Sequence, residues 1–249
     1  MRVRLVALVH MTHQPVTTLL VSIVTVSLIC CGTRVAEEQG IPQAAELLEE
    51  FKTTPLFWQQ AEVAERIVAL GDTRVLSELE RWLTVADRHL RGNVAFIFAA
   101  LGDDRGWEVL GSILSDMSDR PSRLPGNLKG RQITADRYYA VHLLGKLQDE
   151  RAVSILAPYL NDGTVNYKIA WALGEIGGGE AVDLLVGCLN DPRVDVRVIA
   201  IHSLEKLRAR KALPYLRALL SDHERCHFDA LESVSEAAAA AITALQVRD

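Results

Sequence analysis

The sequence lacks the short motifs that mark the common enzyme classes. It contains no G-x-S-x-G, no phosphate-binding glycine loop and no C-x-x-C pair. These motifs supply a nucleophile on a sharp turn, a cradle of backbone N–H groups for phosphates, or a dithiol for redox or metal chemistry. Their absence leaves the ordinary hydrolase, nucleotide-dependent and dithiol classes without support in this chain.

Cysteines are few, and acidic residues outnumber basic ones. Two of the four cysteines lie in an N-terminal apolar run, which leaves Cys188 and Cys226. Nothing in the sequence indicates a disulfide between them, and a chain of this size does not need one. The formal charge is −5, and removing Arg2 and Arg4 with the first 32 residues leaves 25 basic and 32 acidic side chains, a charge of −7. Such an acidic chain is a poor nucleic-acid binder, because phosphate contacts need a basic stripe.

The chain does contain a repeat, most clearly from Asp191 to Asp222. There Val196, Ala200, Leu204 and Leu207 form one helical stripe, and a second stripe follows after a short polar break. Counting on the last apolar residue of the first stripe gives five anchors: Leu70, Leu101, Leu147, Ile176 and Leu207. The anchors are 31, 46, 29 and 31 residues apart, so one interval carries extra chain of about half a repeat.

Fixed offsets from the anchors carry apolar residues throughout. Three residues before the anchors stand Ile67, Phe98, Leu144, Leu173 and Leu204. Nine residues after them stand Leu79, Leu110, Leu156, Leu185 and Leu216, and thirteen after them Leu83, Leu114, Leu160, Leu189 and Leu220. Helical hairpins of this kind cannot bury their apolar stripes alone, so a period of about thirty residues predicts an all-α solenoid.

The repeats resemble a known family. The pair Val196-Arg197 with Ala200, and the segments LGKLQDERAV and LGEIGGGEAV, are similar to the short HEAT-like repeats of phycobilisome bilin lyases. The resemblance covers residues 58–249 and implies a right-handed α-solenoid of about five full two-helix repeats plus capping helices. It is specific for fold and weak for function, because such arrays are mostly interaction scaffolds and only occasionally enzymes.

The N-terminal region lies outside the repeat. Residues 1–32 combine two arginines, no acid and an apolar run from Val16 to Cys31, a pattern typical of an export signal or a single membrane anchor. Cys31 is a lipidation candidate, with ordinary cleavage or an uncleaved anchor as the alternatives. Residues 33–57 then form a linker and a capping helix, and residues 58–249 form the solenoid. The expected location is the periplasm or cell envelope.

Two insertions break the period and mark a candidate binding edge. Residues 117–133 carry Arg120, Arg123, Lys129 and Arg131, and residues 223–229 precede the last copy. Both follow a second helix, so both emerge on the same edge of a solenoid, where insertions often mark the binding side. Their separation of roughly 30 Å, three helix spacings, fits a protein-sized ligand. The basic loop predicts a protein partner with an acidic patch.

The row of residues on the second helices is the other candidate surface. In HEAT-like arrays the second helices line the inner curve, so the resemblance places this row on the concave face. Its named members are Arg81, Glu108, Ser154 and Asp183. The row is small, of mixed charge and poor in aromatic side chains, whereas interface anchors are usually Trp, Tyr or Arg. We therefore expect the stronger contacts at the basic edge.

One chemical motif is present, in the second insertion. His223, Glu224 and His227 match H-E-x-x-H, which in zinc peptidases puts two histidines on one helix face and a glutamate beside the metal. Glu232 or Glu236 could supply a third ligand. Few residues follow the motif to build a cleft, so the preferred interpretation is a polar loop that matches the motif by chance. No cofactor and no catalytic residue is predicted.

Polar residues also recur at fixed repeat positions. Arg91, Arg137 and Arg197 each stand ten before an anchor, where they form either an anion-binding ladder or ion pairs with acids in neighbouring turns. Recurrence favours the ion pairs, since repeats stack their own polar ladders. His142 and His202 each stand five before an anchor, too far apart to share a metal, and are interpreted as packing residues.

Three functions remain open. The first is an exported HEAT-like scaffold, with or without a lipid anchor, that binds another protein and meets the membrane only through its N-terminus. The second is a bilin-lyase-like enzyme or chaperone acting on a protein substrate; the apolar N-terminus counts against it, because that family works inside the cell, where its substrates fold. The third is a zinc-dependent hydrolase that uses His223, Glu224 and His227.

Overall fold

The computed structural model describes residues 43–118, 129–227 and 232–247, with the side chains of 129–131 left out. The described parts are almost wholly helical, and their one isolated β-bridge joins Arg225 and Ser233. A helix over residues 43–53, α1, comes first. The others are α2 (Phe57–Leu70), α3 (Val75–Leu79), α4 (Arg88–Ala100), α5 (Arg105–Ser115), α6 (Lys129–Lys146), α7 (Arg151–Leu156), α8 (Asn166–Ile176), α9 (Gly178–Cys188), α10 (Val194–Lys206), α11 (Leu213–Ala218) and α12 (Val234–Gln246).

The helices alternate as the repeat predicts. We call α2, α4, α6, α8, α10 and α12 the first helices, and α3, α5, α7, α9 and α11 the second helices. Each first helix packs against the next first helix, and the second helices pack mainly against first helices. Successive repeats are therefore joined through their first helices. The prediction of an all-α solenoid of two-helix repeats is confirmed.

The predicted register of the core holds at two offsets. The apolar residues three before the anchors are all fully buried, with no exposed area: Ile67, Phe98, Leu144, Leu173 and Leu204. The same is true nine after the anchors, at Leu79, Leu110, Leu156, Leu185 and Leu216. Burying one such side chain contributes roughly 1.5–3 kcal/mol. These two rows form a continuous seam between first and second helices.

The offset of thirteen behaves differently. Leu114 is fully buried and Leu189 is 2% exposed, but Leu220 is 46% exposed. Leu220 lies in a 3₁₀ turn over Leu219–Ser221, which continues α11 after Ala218. The winding alone does not expose it, because Leu83 stands at the same offset in a 3₁₀ segment, Glu80–Thr84, and is only 7% exposed. The inward orientation predicted for Leu220 is wrong.

Small residues let the first helices approach closely. A Cβ placed on Gly145 would lie 3.1 Å from Ala172 Cα, and one on Gly174 would lie 2.5 Å from the Ser203 hydroxyl. That hydroxyl donates to the carbonyl oxygen of Ala170 at 3.0 Å. Larger side chains at these glycines would force α6, α8 and α10 apart. The close approach brings the outer side chains of these three helices into one surface.

Side chains of α2 and α6 meet over α4. The rings of Phe57 and Tyr139 are 4.9 Å apart between centroids, and Lys146 Nζ lies 2.8 Å from a carboxylate oxygen of Glu65. Residues 92–99 of α4 are consequently all buried, so α4 has no open face over two turns. Side chains of α2 and α6 thus contact each other across α4 and cover it on the first-helix side.

The predicted N-terminal features fall largely outside the described residues. The apolar run, Cys31 and the linker up to residue 42 belong to that part. Within residues 43–118, 129–227 and 232–247, no helix has the length and apolarity needed to cross a membrane. The predicted capping helix corresponds to α1, whose Phe51 is fully buried with its ring centroid 6.0 Å from that of Trp82.

Candidate functional site

The recurring arginines form structural clamps. Arg137 donates to an Asp162 carboxylate oxygen at 2.6 Å, Arg197 lies 3.0 Å from Asp222, and Arg91 lies 3.8 Å from Asp116. In each pair the acid follows the arginine by 25 residues and ends the second helix of the same repeat. The guanidinium groups are thus engaged by turn acids, in agreement with the preferred interpretation.

The carboxylate of Asp162 is held in the ionised form. Burial would raise the pKa of Asp162, but hydrogen bonds from Thr164 and the guanidinium of Arg137 outweigh it and lower the pKa to about 2. In the repeat anchored on Ile176, Asn166 replaces the arginine and donates to Asp191 at 3.1 Å. The ladder therefore ties together the four repeats anchored on Leu101, Leu147, Ile176 and Leu207, and its polar groups are engaged within them.

The two predicted binding surfaces remain predictions. Arg120 and Arg123 lie outside the described residues, and only the backbone of Lys129 and Arg131 is described, in the first turn of α6. The second-helix residues are all exposed: Arg81, Glu108, Ser154 and Asp183. Asp183 accepts a hydrogen bond from Lys211 at 2.7 Å, which links two neighbouring second helices.

The H-E-x-x-H segment does not form a helix. His223 Nδ1 lies 3.1 Å from the Ser235 hydroxyl, whereas His227 Nδ1 lies 3.2 Å from an Asp195 oxygen. Glu224 pairs with Arg197. The two histidines consequently contact different partners, and residues 43–118, 129–227 and 232–247 contain no group of three side chains placed to hold a metal. The segment lacks the helical face that a zinc peptidase uses.

The proposed third ligands also have other partners. Glu232 lies 2.9 Å from His202 Nε2. Glu236 accepts from the backbone N–H of Ser233 at 2.7 Å in a capping box that begins α12. Both carboxylates therefore act in the inserted segment as structural groups.

The second insertion instead folds back on itself and against α10. Cys226 N–H donates to the Glu232 carbonyl oxygen at 3.0 Å, and Val234 N–H donates to Glu224 at 3.0 Å. Asp195 on α10 accepts from the His227 backbone N–H at 2.7 Å and from the Cys226 thiol at 3.2 Å. These contacts hold the insertion beside the outer face of the first helices.

A groove lies between that insertion and the first helices. Its volume is about 470 Å³, within the range of small-molecule sites. The lining comes from α6, α8, α10 and the insertion: Tyr138, Tyr167, Val198, Ile199, His202, Cys226 and Glu232. It is mostly apolar, with the hydrogen-bonded pair of His202 and Glu232 on one side. We call this the aromatic groove.

Further rings extend the surface along the first helices. The imidazole of His142 stacks on the indole of Trp171 with centroids 5.2 Å apart, and Tyr138 lies 5.6 Å from Tyr167. Burial and the nearby ammonium of Lys168 lower the pKa of His142 to about 4. His142 is a packing residue as predicted, whereas His202 is exposed and hydrogen-bonded to Glu232, contrary to its prediction.

Lys168 sits among these rings. Its Nζ lies 3.2 Å from the Trp171 ring centroid and 5.0 Å from that of Tyr138. The residue is 8% exposed, and burial lowers the pKa of its ammonium to about 8. The ammonium is therefore held by cation–π contacts at the edge of the groove.

A charged hollow adjoins the aromatic groove on the other side of the insertion. Its volume is about 460 Å³, and its lining includes Arg193, Asp195, Glu224, Arg225 and His227. The Arg193 guanidinium lies 5.9 Å from the Tyr167 ring centroid, so Tyr167 connects the two hollows. Together they offer an apolar, ring-lined trough with polar groups at its end. Such a surface suits a flat conjugated ligand that carries polar substituents.

Sequence reasoning missed this groove, although its signal lay in the repeat register. Tyr138, Tyr167 and Val198 each stand nine residues before an anchor. His142, Trp171 and His202 each stand five before one. The sequence thus contained two rows of residues at fixed positions on the first helices, but the prediction placed the binding surface on the second helices and the basic edge.

Comparison with known proteins identifies the repeats. Residues 134–196 and 161–246 match HEAT repeats. Phycocyanobilin lyase subunit alpha of Picosynechococcus sp. (strain ATCC 27264 / PCC 7002 / PR-6) is 40% identical over 106 residues, 38% of this chain and 40% of the relative. The subunit of the same name from Synechococcus elongatus (strain ATCC 33912 / PCC 7942 / FACHB-805) is 33% identical over 105 residues, 38% of each chain. The match thus spans about two-fifths of the length of these curated relatives.

One solved structure is partly similar to this chain. The complex of CpcE and CpcF of phycocyanin lyase from Nostoc sp. PCC7120 contains a chain with a TM-score of 0.47 and 22% identity. The similarity covers 69% of this chain and 65% of that one.

The relatives correct one prediction. Export to the periplasm or cell envelope is wrong, because the matched proteins are phycocyanobilin lyase subunits and that family works inside the cell. Lipidation of Cys31 concerns a residue outside the described ranges and stays an untested prediction. A short apolar run with several hydroxyl side chains is too weak a signal to decide the compartment by itself. The match over residues 134–246, together with the two-helix repeats of the structure, shows that this chain is a HEAT-repeat protein.

Proposed function

We propose that this chain is a bilin-lyase-like protein, which binds a bilin and acts on the protein that carries it. The proposal is supported by the relatives, which are named phycocyanobilin lyase subunits. It replaces the exported scaffold as the preferred function. Because the match spans only about two-fifths of these relatives, the reaction itself and any second subunit are also part of the proposal.

The aromatic groove is the observation that carries the proposal. A bilin is an open-chain tetrapyrrole, flat and conjugated, with two propionate side chains. Tyr138 and Tyr167 offer ring faces for such a ligand, and Val198 and Ile199 supply apolar contact. Arg193 and Arg225 in the charged hollow provide positive charge for the propionates. The two adjoining volumes, about 470 and 460 Å³, are large enough for a ligand of this size.

The groove suits binding and presentation of the bilin. The Cys226 thiol is part of the lining, but it is buried and donates to the Asp195 carboxylate, and we assign it the structural role of holding the insertion against α10. We propose that the groove holds the bilin in an extended conformation, shields its central rings from water and leaves one edge open. An acceptor protein would meet that edge, so that its own side chain completes the reaction.

A titration with phycocyanobilin tests this function. The purified full chain should bind the bilin saturably, seen as a change in bilin absorbance and quenching of tryptophan fluorescence. Replacing Tyr167 with Ala should weaken binding about tenfold, because a ring contact is lost from the groove. Tyr215→Ala is the matched control, since Tyr215 is 51% exposed on α11 and outside the groove. Absence of saturable binding to the wild-type chain would refute the proposed function.

A protein partner remains part of the proposal. Solenoids offer extended surfaces for protein ligands, and the relatives are named as subunits. We propose that the partner carries an acidic patch and meets the basic edge formed by Arg120, Arg123, Lys129 and Arg131. The insertion of residues 117–133 directly precedes most of α6, whose Tyr138 lines the aromatic groove. A partner at this edge would therefore lie within reach of the bound ligand.

A further inference from the structure

Lys168 is a nearly buried cation without a paired anion. With 8% exposure it is more than nine-tenths buried, yet its ammonium forms no hydrogen bond and no ion pair with any residue in the described ranges. Burying an ammonium is costly unless an opposite charge or several hydrogen-bond acceptors compensate. The cation–π contacts with Trp171 and Tyr138 compensate only in part.

The acid that acts on Lys168 at longer range is already engaged. Glu175, on the same helix, lies 2.5 Å from Lys206 Nζ on α10. His142 faces Lys168 from α6 and brings no negative charge. The described residues therefore surround this ammonium with aromatic rings but provide no anion in contact with it.

Arg193, a second cation beside the groove, differs in this respect. Arg193 donates to the carbonyl oxygen of Gly163 and, at 2.6 Å, to the side-chain oxygen of Asn166. Lys168 has no such acceptors, and it shares Tyr138 with the groove, because that ring both contacts the ammonium and lines the trough. A ligand in the groove thus lies one ring away from an unsatisfied positive charge.

We propose that Lys168 binds a carboxylate of the ligand in the aromatic groove and selects ligands that carry one. This assignment rests on the proposed function, and it identifies which residue reads the propionate group of a bilin. The ligand carboxylate would approach beside the Tyr138 ring and replace part of the cation–π contact with a charge-assisted hydrogen bond. Neutral ligands of the same shape would keep their ring contacts but leave the ammonium unpaired.

Phycocyanobilin and its dimethyl ester test this assignment. The two probes share the conjugated chain, but the ester carries no carboxylate. The wild-type full chain should bind the free acid at least tenfold more tightly than the ester, as expected for a charged hydrogen bond. Lys168→Met should reduce this preference at least fivefold and leave the affinity for the ester within about twofold.

Two further variants make the test decisive. Lys168→Arg keeps the positive charge, so it should keep the preference for the free acid even if Lys168→Met folds poorly. Lys146→Met is the matched control, because Lys146 is an exposed lysine of α6 that pairs with Glu65. Its preference should equal that of the wild type.

The outcomes separate the two proposals. If the wild type binds both probes and Lys168→Met keeps the wild-type preference, the assignment to Lys168 is wrong and the proposed function stands. If Lys168→Arg loses the preference as fully as Lys168→Met does, the residue acts through its shape and the assignment again fails. If the wild type binds neither probe, the proposed function and the assignment fall together.

Discussion

The two leucines of α11 and its 3₁₀ extension give a sharp test of the packing. Leu216 and Leu220 are one helical turn apart in the same second helix, and the repeat pattern treats both as core positions. The structure separates them, since Leu216 is fully buried and Leu220 is 46% exposed. We consider the two single substitutions Leu216→Ala and Leu220→Ala, which remove the same atoms from the same element.

The magnitudes follow from burial. Leu216→Ala removes buried methyl groups and leaves a cavity between first and second helices, which should cost about 2–5 kcal/mol of unfolding free energy. Leu220 is close to half exposed, so its truncation should cost about 1 kcal/mol or less. The two variants should therefore differ by at least 1 kcal/mol even at the unfavourable ends of these ranges.

Urea denaturation measures both costs. Circular dichroism and tryptophan fluorescence should give coincident transitions, because a repeat array can lose two-state behaviour and make a single free energy meaningless. Unchanged m-values would show that the variants differ in stability alone. Equal losses for the two variants, within about 0.5 kcal/mol, would refute the half-exposed position of Leu220.

Two other consequences concern charge. Burial and Lys168 lower the pKa of His142 from 6.5 to about 4, so between these pH values the unfolded chain takes up a proton that the folded chain excludes. The free energy of unfolding should therefore fall by about 1–2 kcal/mol as the pH drops from 6.5 toward 4. His142→Phe should flatten this pH dependence in urea titrations at each pH. Replacing Arg120, Arg123, Lys129 and Arg131 with Ser should leave thermal unfolding unchanged and weaken capture of an acidic protein partner, with less salt dependence in what remains. Capture of equal strength would count against the basic edge.

The repeat could be predicted from the sequence because buried apolar residues recur at fixed distances from each anchor. Leu185 and Leu216 sit nine residues after their anchors, and the seam between helices must bury that position in every repeat. Leu220 could not be read in the same way, because the apolar pattern at this offset is the same whether the side chain is buried, as Leu114 is, or half exposed, as Leu220 is.

The candidate site was harder to read, for two physical reasons. The H-E-x-x-H spacing predicts a metal site only on a helix, and here His227 and Glu224 are held by Asp195 and Arg197 in an extended segment. The groove depends on residues from three repeats and an insertion, so no short stretch of sequence contains it. Tyr138 and Tyr167 share a repeat position, but helical periodicity alone reads such residues as part of a helix face.

The central claim is that the ligand lies on the first helices, beside the insertion, and not on the second helices. Amide hydrogen exchange of the full chain with and without phycocyanobilin tests this most directly. We expect added protection in α8, α10 and residues 222–227, whose side chains line the aromatic groove and the charged hollow. Protection confined to the second helices that carry Arg81, Glu108, Ser154 and Asp183 would contradict the account.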